Sequence, residues 1–250
     1  MNAVLSPLDE SSLRPRNRWT VLSLIDWSTQ HLSQQGFDEA RLHVEILLAY
    51  TLNFSRLQLY THFDKPLAPD ELSRFKELFK RRLAHEPLQY IIGETEFMGL
   101  PLFVDSRVLI PRPETEQLVE RVLDAIKSLN KEKVAVLDIG TGSGNIPIAV
   151  AKFAPKANIT AMDVSADALA VAKENASRNG IGNINFVRAD IFSDTLPPKT
   201  FDVIVSNPPY IALKEFLSLL PEVRDFEPRI ATTDEGDGLK FIRRIAYVAV

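Results

Sequence analysis

The 250-residue chain contains no cysteine, which excludes disulfides and thiolate-bound metals. That absence fits a reducing cytoplasm, the expected location. Histidine is nearly as scarce. His31, His43, His62 and His85 are the only four, no pair has ligand-like spacing, and no metal site is expected. No apolar run is long enough to span a bilayer, so no membrane partner is expected. Residues 1–18 carry neither the apolar core of a secretory signal nor a dense arginine pattern. An excess of positive charge is missing too. Net charge is −4; residues 1–90 hold eleven basic and eleven acidic side chains, and the remainder supplies the whole imbalance. Nucleic-acid enzymes usually carry a basic face, because phosphate neutralisation drives much of their affinity. The one dense basic cluster, Lys80-Arg81-Arg82, reads as a solvated helix face. A protein or small-molecule substrate is expected rather than a nucleic acid.

What is present divides the chain. Residues 1–17 have little pattern. From Trp19 to about His85 the periodicity is helical, with Leu22, Ile25, Trp27 and Leu32 marking one amphipathic segment and Asp38 placed to cap a second. A short segment follows from Ser55 to His62. Pro69 and Asp70 then open a helix that turns Leu72, Phe75, Leu78, Phe79 and Leu83 inward, and Pro87 ends it. This predicts a helical bundle over residues 1–87. Gln89–Phe97 and Leu100–Val104 read as two strands around Met98-Gly99, a hairpin within a linker over 88–112. A helix rich in Glu114, Glu116 and Glu120 follows, its acids placed where the helix dipole favours negative charge. Beyond Lys133, strands at Val134–Asp138, Asn158–Asp163, Ile184–Arg188 and Phe201–Ser206 alternate with helices at Ile146–Phe153 and Ala166–Asn179. That alternation predicts an α/β domain over 113–250, with a doubly wound, Rossmann-like parallel sheet.

The candidate site residues fall at the carboxyl ends of these strands, where open α/β sheets bind ligands. Asp138 precedes Gly140-Thr141-Gly142-Ser143-Gly144, a turn in which the backbone can approach a ligand closely. The spacing is G-x-G-x-G, not the dinucleotide G-x-G-x-x-G. An acid at that strand end suits a cationic amino-acid group better than a pyrophosphate. This favours S-adenosylmethionine over a nicotinamide cofactor. Asp163 lies at the offset of a ribose-binding acid, although it or Ser165 also suits a helix cap. Asp190 is placed to accept from an adenine amine. Ile191 or Phe192 is placed to cover the ring, and either also suits ordinary core.

The fourth strand delivers Asn207-Pro208-Pro209-Tyr210. A planar carboxamide or base amine has a delocalised lone pair, so a site that methylates it must hold it by its N–H hydrogens. The Asn207 side-chain oxygen and the Pro208 carbonyl are two suitable acceptors. The two prolines stiffen the turn, and Tyr210 offers a flat stacking face. A plain Asn-Pro turn closing a strand is the simpler alternative.

Taken together, these segments resemble the class I S-adenosylmethionine-dependent methyltransferases, and within them the release-factor glutamine methyltransferases. The specific parts are Pro87–Gly93, Val108–Glu116, the glycine loop and Asn207–Tyr210, with Phe226-Glu227-Pro228 and Asp237-Gly238-Leu239 also similar. A related enzyme acting on a ribosomal protein differs after the Pro-Arg pair, so Pro113–Glu116 favours the release-factor branch. The resemblance implies methyl transfer to the glutamine of a Gly-Gly-Gln motif in bacterial peptide-chain release factors. A ribosomal-protein glutamine or a nucleic-acid base amine is the alternative target. The resemblance also implies cofactor contacts at Gly140–Gly144, Asp163 and Asn207, and a helical domain that grips the release factor. Relatives often carry an aromatic residue where Ile191 stands here. A class I sheet normally has seven strands and four are visible, so a truncated chain with an exposed sheet edge is expected.

Overall fold

A computed structural model describes residues 19–193 and 200–249; the expected loose segment 1–17 lies outside the described residues. The chain forms two compact units, one ending at Ala84 and the other beginning at His85. Among the described residues no helix is long and apolar enough to cross a membrane.

The first unit contains helices α1 (Val21–Gln34), α2 (Ala40–Leu52), α3 (Arg56–Thr61) and α4 (Pro69–Leu83) among its described residues. Reciprocal capping boxes start two of them, Thr20 with Ser23 and Ser55 with Gln58. Pro69, Asp70 and Glu71 open α4, and Lys80, Arg81 and Arg82 close it, as the helix dipole favours. Leu24, Leu32, Val44, Leu47, Leu48, Leu59 and Phe75 fill the core. Two expectations change. Asp38 caps nothing, because Glu39 stands directly before α2 in a left-handed conformation with no side-chain cap. Leu22 and Trp27 are largely exposed; α1 turns Val21, Leu24, Ile25 and Leu32 inward instead. Within this core, buried Glu45 accepts from Arg41 Nε at 2.9 Å, Arg56 Nη2 at 2.8 Å and Tyr60 Oη at 2.5 Å. Burial opposes its ionisation, but the three donors outweigh that and hold the carboxyl below its ordinary range.

The second unit opens with a correction. Residues Gln89–Ile92, expected to be part of a strand, lie in a one-turn helix, α5 (Leu88–Ile92). Pro87 precedes the turn. Gly93, at φ 75°, closes it with its N–H on the Gln89 carbonyl at 2.8 Å. The hairpin itself is shorter than expected: β1 (Glu94–Phe97) pairs antiparallel with β2 (Leu100–Phe103). Met98 and Gly99 both adopt positive φ, the geometry of a tight two-residue hairpin turn.

After α6 (Glu114–Ser128) come β3 (Ala135–Ile139), α7 (Asn145–Phe153), β4 (Asn158–Asp163), α8 (Ala166–Arg178), β5 (Ile184–Arg188) and β6 (Val203–Ser206). The four strands pair in parallel in the order β5-β4-β3-β6. The chain builds outward from β3 to β5, then crosses back to lay β6 on the other side of β3. This is the doubly wound topology, and its order reverses between β3 and β6. Helices cover both faces. Val119, Val122, Ile146, Val150 and Ala176 pack with Val136 and Val205 in one cluster. Leu137, Ile139, Met162 and Ile191 form the other, against Phe241 and Ile245 of α12 (Lys240–Val248). Three short helices between Tyr210 and Gly238 carried no clear sequence pattern: α9 (Leu213–Phe216), α10 (Pro221–Phe226) and α11 (Arg229–Thr232).

Candidate functional site

One cavity opens at the carboxyl ends of β3, β4, β5 and β6. Its lining includes Gly140, Thr141, Gly142, Ser143, Asp163, Asp190, Ile191, Phe192, Asn207, Pro208 and Pro209. The sheet therefore gathers most of the sequence-derived residues into one place. Three do not line it: Asp138, Gly144 and Tyr210.

The glycine turn is fixed by its own backbone. The N–H groups of Gly140 and Thr141 both donate to the Met162 carbonyl, at 2.9 and 3.0 Å, so the loop hangs from the end of β4. Gly144 starts α7 at φ 80°, and a Cβ there would lie 3.0 Å from both Ala172 Cβ and Ile148 Cδ1. Its role is close packing of α7 on α8 rather than contact with a ligand. Asn175, fully buried on α8, donates to the Ser143 and Phe103 carbonyls, each at 2.9 Å, and accepts from Phe103 N at 2.7 Å. One amide thus ties the loop to the hairpin.

Asp163 receives Gly142 N–H on Oδ2 and Ser165 N–H on Oδ1, both at 2.9 Å, while Ser165 caps α8 through Ala168 N–H at 3.1 Å. Each Asp163 oxygen keeps a further lone pair for a ligand hydroxyl. Asp190 accepts Phe192 N–H at 2.9 Å. Ile191 is buried yet still lines the cavity. The half-exposed Phe192 ring stands edge-on to Phe241 at 5.1 Å, with Lys240 Nζ 4.9 Å from its centroid.

Asp138 lies beneath the glycine turn, fully buried, and neither carboxylate oxygen has a hydrogen-bond partner; the Thr141 hydroxyl also lacks one. Burial pushes the Asp138 carboxyl up to about 7; the nearby Thr141 hydroxyl opposes the rise and the negative charge of Asp163 adds to it. An unfolded aspartate titrates near ~4. Between these values the folded state holds a proton that the unfolded state has lost. Asp138 therefore contributes stability that is full below ~4 and is lost as pH rises through about 7. Asp138→Asn should abolish this dependence. The melting temperature of the cofactor-free wild type should fall against that variant by several degrees between acid and neutral pH. Parallel pH profiles for the two proteins would refute the assignment.

Asn207 stands just beyond β6. Ser206 Oγ donates to the Ile139 carbonyl at 2.6 Å, holding the ends of β6 and β3 together. The Asn207 Nδ2 donates to Thr115 Oγ1 at 3.3 Å, and Asn207 Oδ1 makes no hydrogen bond to any described residue. Pro208 and Pro209 line the cavity, whereas Tyr210 does not and is 61% exposed.

Sequence reasoning gave no role to three contributors. Thr115 lines the cavity from the first turn of α6. Arg112, also on the wall, donates to both Glu227 oxygens at 2.8 and 2.7 Å and to the Ile110 carbonyl at 3.1 Å. Burial raises the Glu227 carboxyl and the Arg112 guanidinium partly offsets it. Asp234 accepts from the N–H groups of Gly236, Gly238 and Lys240 at 2.8, 3.0 and 2.9 Å, shaping the turn behind Tyr210. The Phe-Glu-Pro and Asp-Gly-Leu segments were visible as motifs, but the Thr115–Asn207 and Arg112–Glu227 pairings are long-range and left no local pattern.

Comparison with known proteins places this geometry among relatives. Residues 23–93 match the PrmC N-terminal domain family and residues 116–220 the methyltransferase small domain family. The chain is 42% identical over 230 residues to a release factor glutamine methyltransferase of Rhodopirellula baltica, spanning 91% of this chain and 78% of that one. To the protein of the same name from Geobacter sulfurreducens it is 43% identical over 231 residues, spanning 92% and 79%. Among solved structures, the catalytic domain of hMettl16 in complex with MAT2A 3'UTR hairpin 1 shares the fold at a TM-score of 0.50. The two are 22% identical, over 71% of this chain and 61% of that one.

Proposed function

This chain belongs to the release factor glutamine methyltransferase family, and from that premise we propose that it methylates the side-chain amide nitrogen of the glutamine in the Gly-Gly-Gln motif of peptide-chain release factors. It is an S-adenosylmethionine-dependent glutamine methyltransferase. In this reading the helical segment 1–87 recognises the release factor, residues 88–112 join it to the catalytic domain 113–250, and the enzyme acts in the cytoplasm.

The residues present fit the cofactor. Asp163 lines the cavity with acceptors for hydroxyl groups, and a cation such as S-adenosylmethionine above the glycine turn would favour the ionised form of Asp138 buried beneath it. Gly140–Ser143 would hold its amino-acid part, Asp163 its ribose hydroxyls, and Asp190 with Ile191 and Phe192 its adenine. When bound, the cofactor supplies an electrophilic methyl group on a sulfonium.

The observation that carries the reading is the state of Asn207. Its amide nitrogen is bound to Thr115, and its oxygen is left to accept. Asn207 Oδ1 and the Pro208 carbonyl hold the two N–H hydrogens of the substrate amide. This fixes the nitrogen for in-line attack and stabilises positive charge as it develops there. The nitrogen, once it has accepted the methyl group, would lose its proton to solvent. The side chains do not need to remove a proton before the methyl group moves.

The test is transfer of labelled methyl from S-adenosylmethionine to a purified bacterial release factor, beside a variant with alanine at the Gly-Gly-Gln glutamine, a ribosomal protein and DNA. Label on the unmodified factor alone is expected. Label on DNA or the ribosomal protein instead, or on both forms of the factor, would overturn the assignment.

A further inference from the structure

Asn207 can act as an acceptor only if its amide faces the right way. The two ends of a carboxamide are nearly equal in size and opposite in hydrogen bonding. Turned over, the side chain would present N–H to the substrate N–H, setting donor against donor. A hydroxyl can meet either end, so its contribution is to hold the side chain in place; among the described residues the Asn207 side chain hydrogen-bonds only to Thr115.

Thr115 is well placed for that task. It is 6% exposed, lines the cavity, and sits in the first turn of α6, which is anchored from two sides. Its own N–H donates to the Arg112 carbonyl at 3.0 Å, and Arg112 is clamped by Glu227. The next residue along closes the other side: Glu116 Oε1 accepts Met98 N–H of the hairpin turn at 2.7 Å. The hydroxyl that meets Asn207 thus stands on a fixed platform, 92 residues away in sequence.

We propose that Thr115 is a positioning residue for turnover: its hydroxyl, hydrogen-bonded to Asn207 Nδ2, holds the Asn207 side chain where Oδ1 can accept from the substrate amide. This rests on the function proposed above. Thr115 does not touch the transferred group and acts only through Asn207.

The experiment compares wild type, Thr115→Val, Thr115→Ser, Asn207→Ala and the double variant Thr115→Val/Asn207→Ala. It measures kcat and KM on a release factor, and cofactor affinity by calorimetry. Losing one orienting hydrogen bond should lower kcat about tenfold in Thr115→Val, with cofactor affinity little changed. Thr115→Ser, which retains the hydroxyl, should restore turnover. The double variant should be no slower than Asn207→Ala, because the hydroxyl has nothing left to orient. Wild-type turnover in Thr115→Val, an equal loss of cofactor affinity, no rescue by serine, or a further loss in the double variant would each overturn the inference. An inactive wild type would bring down the functional reading and this inference together. A fully active Thr115→Val beside an active wild type brings down the inference alone.

Discussion

Asn207→Ala should lower kcat by about 10²–10³-fold, the range found when one preorganised group facing a developing charge is removed, while leaving most of the cofactor affinity intact. The asymmetry follows from the geometry. The glycine turn, Asp163 and the Asp190–Phe192 segment are built on β3, β4 and β5 and their loops, and none of their hydrogen bonds passes through Asn207. Asn207 stands just beyond β6, across the point where strand order reverses, joined to Thr115. Removing its amide takes away an acceptor for the substrate and leaves the cofactor wall standing. Equal losses of turnover and cofactor affinity would show that Asn207 chiefly holds the cofactor, and a wild-type kcat would remove it from the chemistry. The measurement is steady-state methyl transfer alongside direct titration of S-adenosylmethionine.

The parts of this arrangement visible in the sequence are those made by local chemistry. Val136-Leu137 and Val203–Val205 lie in parallel strands, the first buried and the second partly so, and helical periodicity separates them, so the doubly wound sheet follows from pattern alone. The strand ends then bring Gly140–Ser143, Asp163, Asp190 and Asn207 to one cavity. Two local signals misled. Tyr90-Ile91-Ile92 has the composition of a strand, but Gly93 in a left-handed conformation closes it as a helical turn. Asp138 looks like a ligand contact because it borders the glycines, yet strand alternation turns it beneath the turn rather than into the cavity. The Thr115–Asn207, Arg112–Glu227 and Asn175–Phe103 pairings join residues 92, 115 and 72 positions apart. No periodicity encodes such pairs; they exist only once the sheet has brought their elements together.

Gly238→Ala should be the most damaging change outside the cavity, with turnover reduced on the order of 10²-fold, as expected when a reacting geometry is displaced by about an ångström. Gly238 adopts φ 83°, and a Cβ there would overlap the Tyr210 carbonyl oxygen and lie 3.3 Å from Ala212 N. Neither side can yield by rotating a side chain, because both obstacles are backbone. Ile211 N–H is held on the Thr232 carbonyl at 3.1 Å and Leu213 N–H on the Gly236 carbonyl at 3.0 Å. Asp234 pins Gly238 from behind through its N–H. The overlap must therefore move the Pro208–Tyr210 turn or break the Asp234 cap. A left-handed alanine costs a further ~1–2 kcal/mol, so the melting temperature should drop by several degrees as well. Gly236→Ala is the matched control. Its Cβ would meet nothing closer than Asp234 Oδ1 at 3.5 Å, an ordinary contact, and its N–H would still reach Asp234. Wild-type turnover in Gly236→Ala beside a collapse in Gly238→Ala would trace the defect to the Tyr210 carbonyl. Equal losses in both would point to general disruption of the turn, and full activity in Gly238→Ala would show that the tetrapeptide is not held in place by this contact.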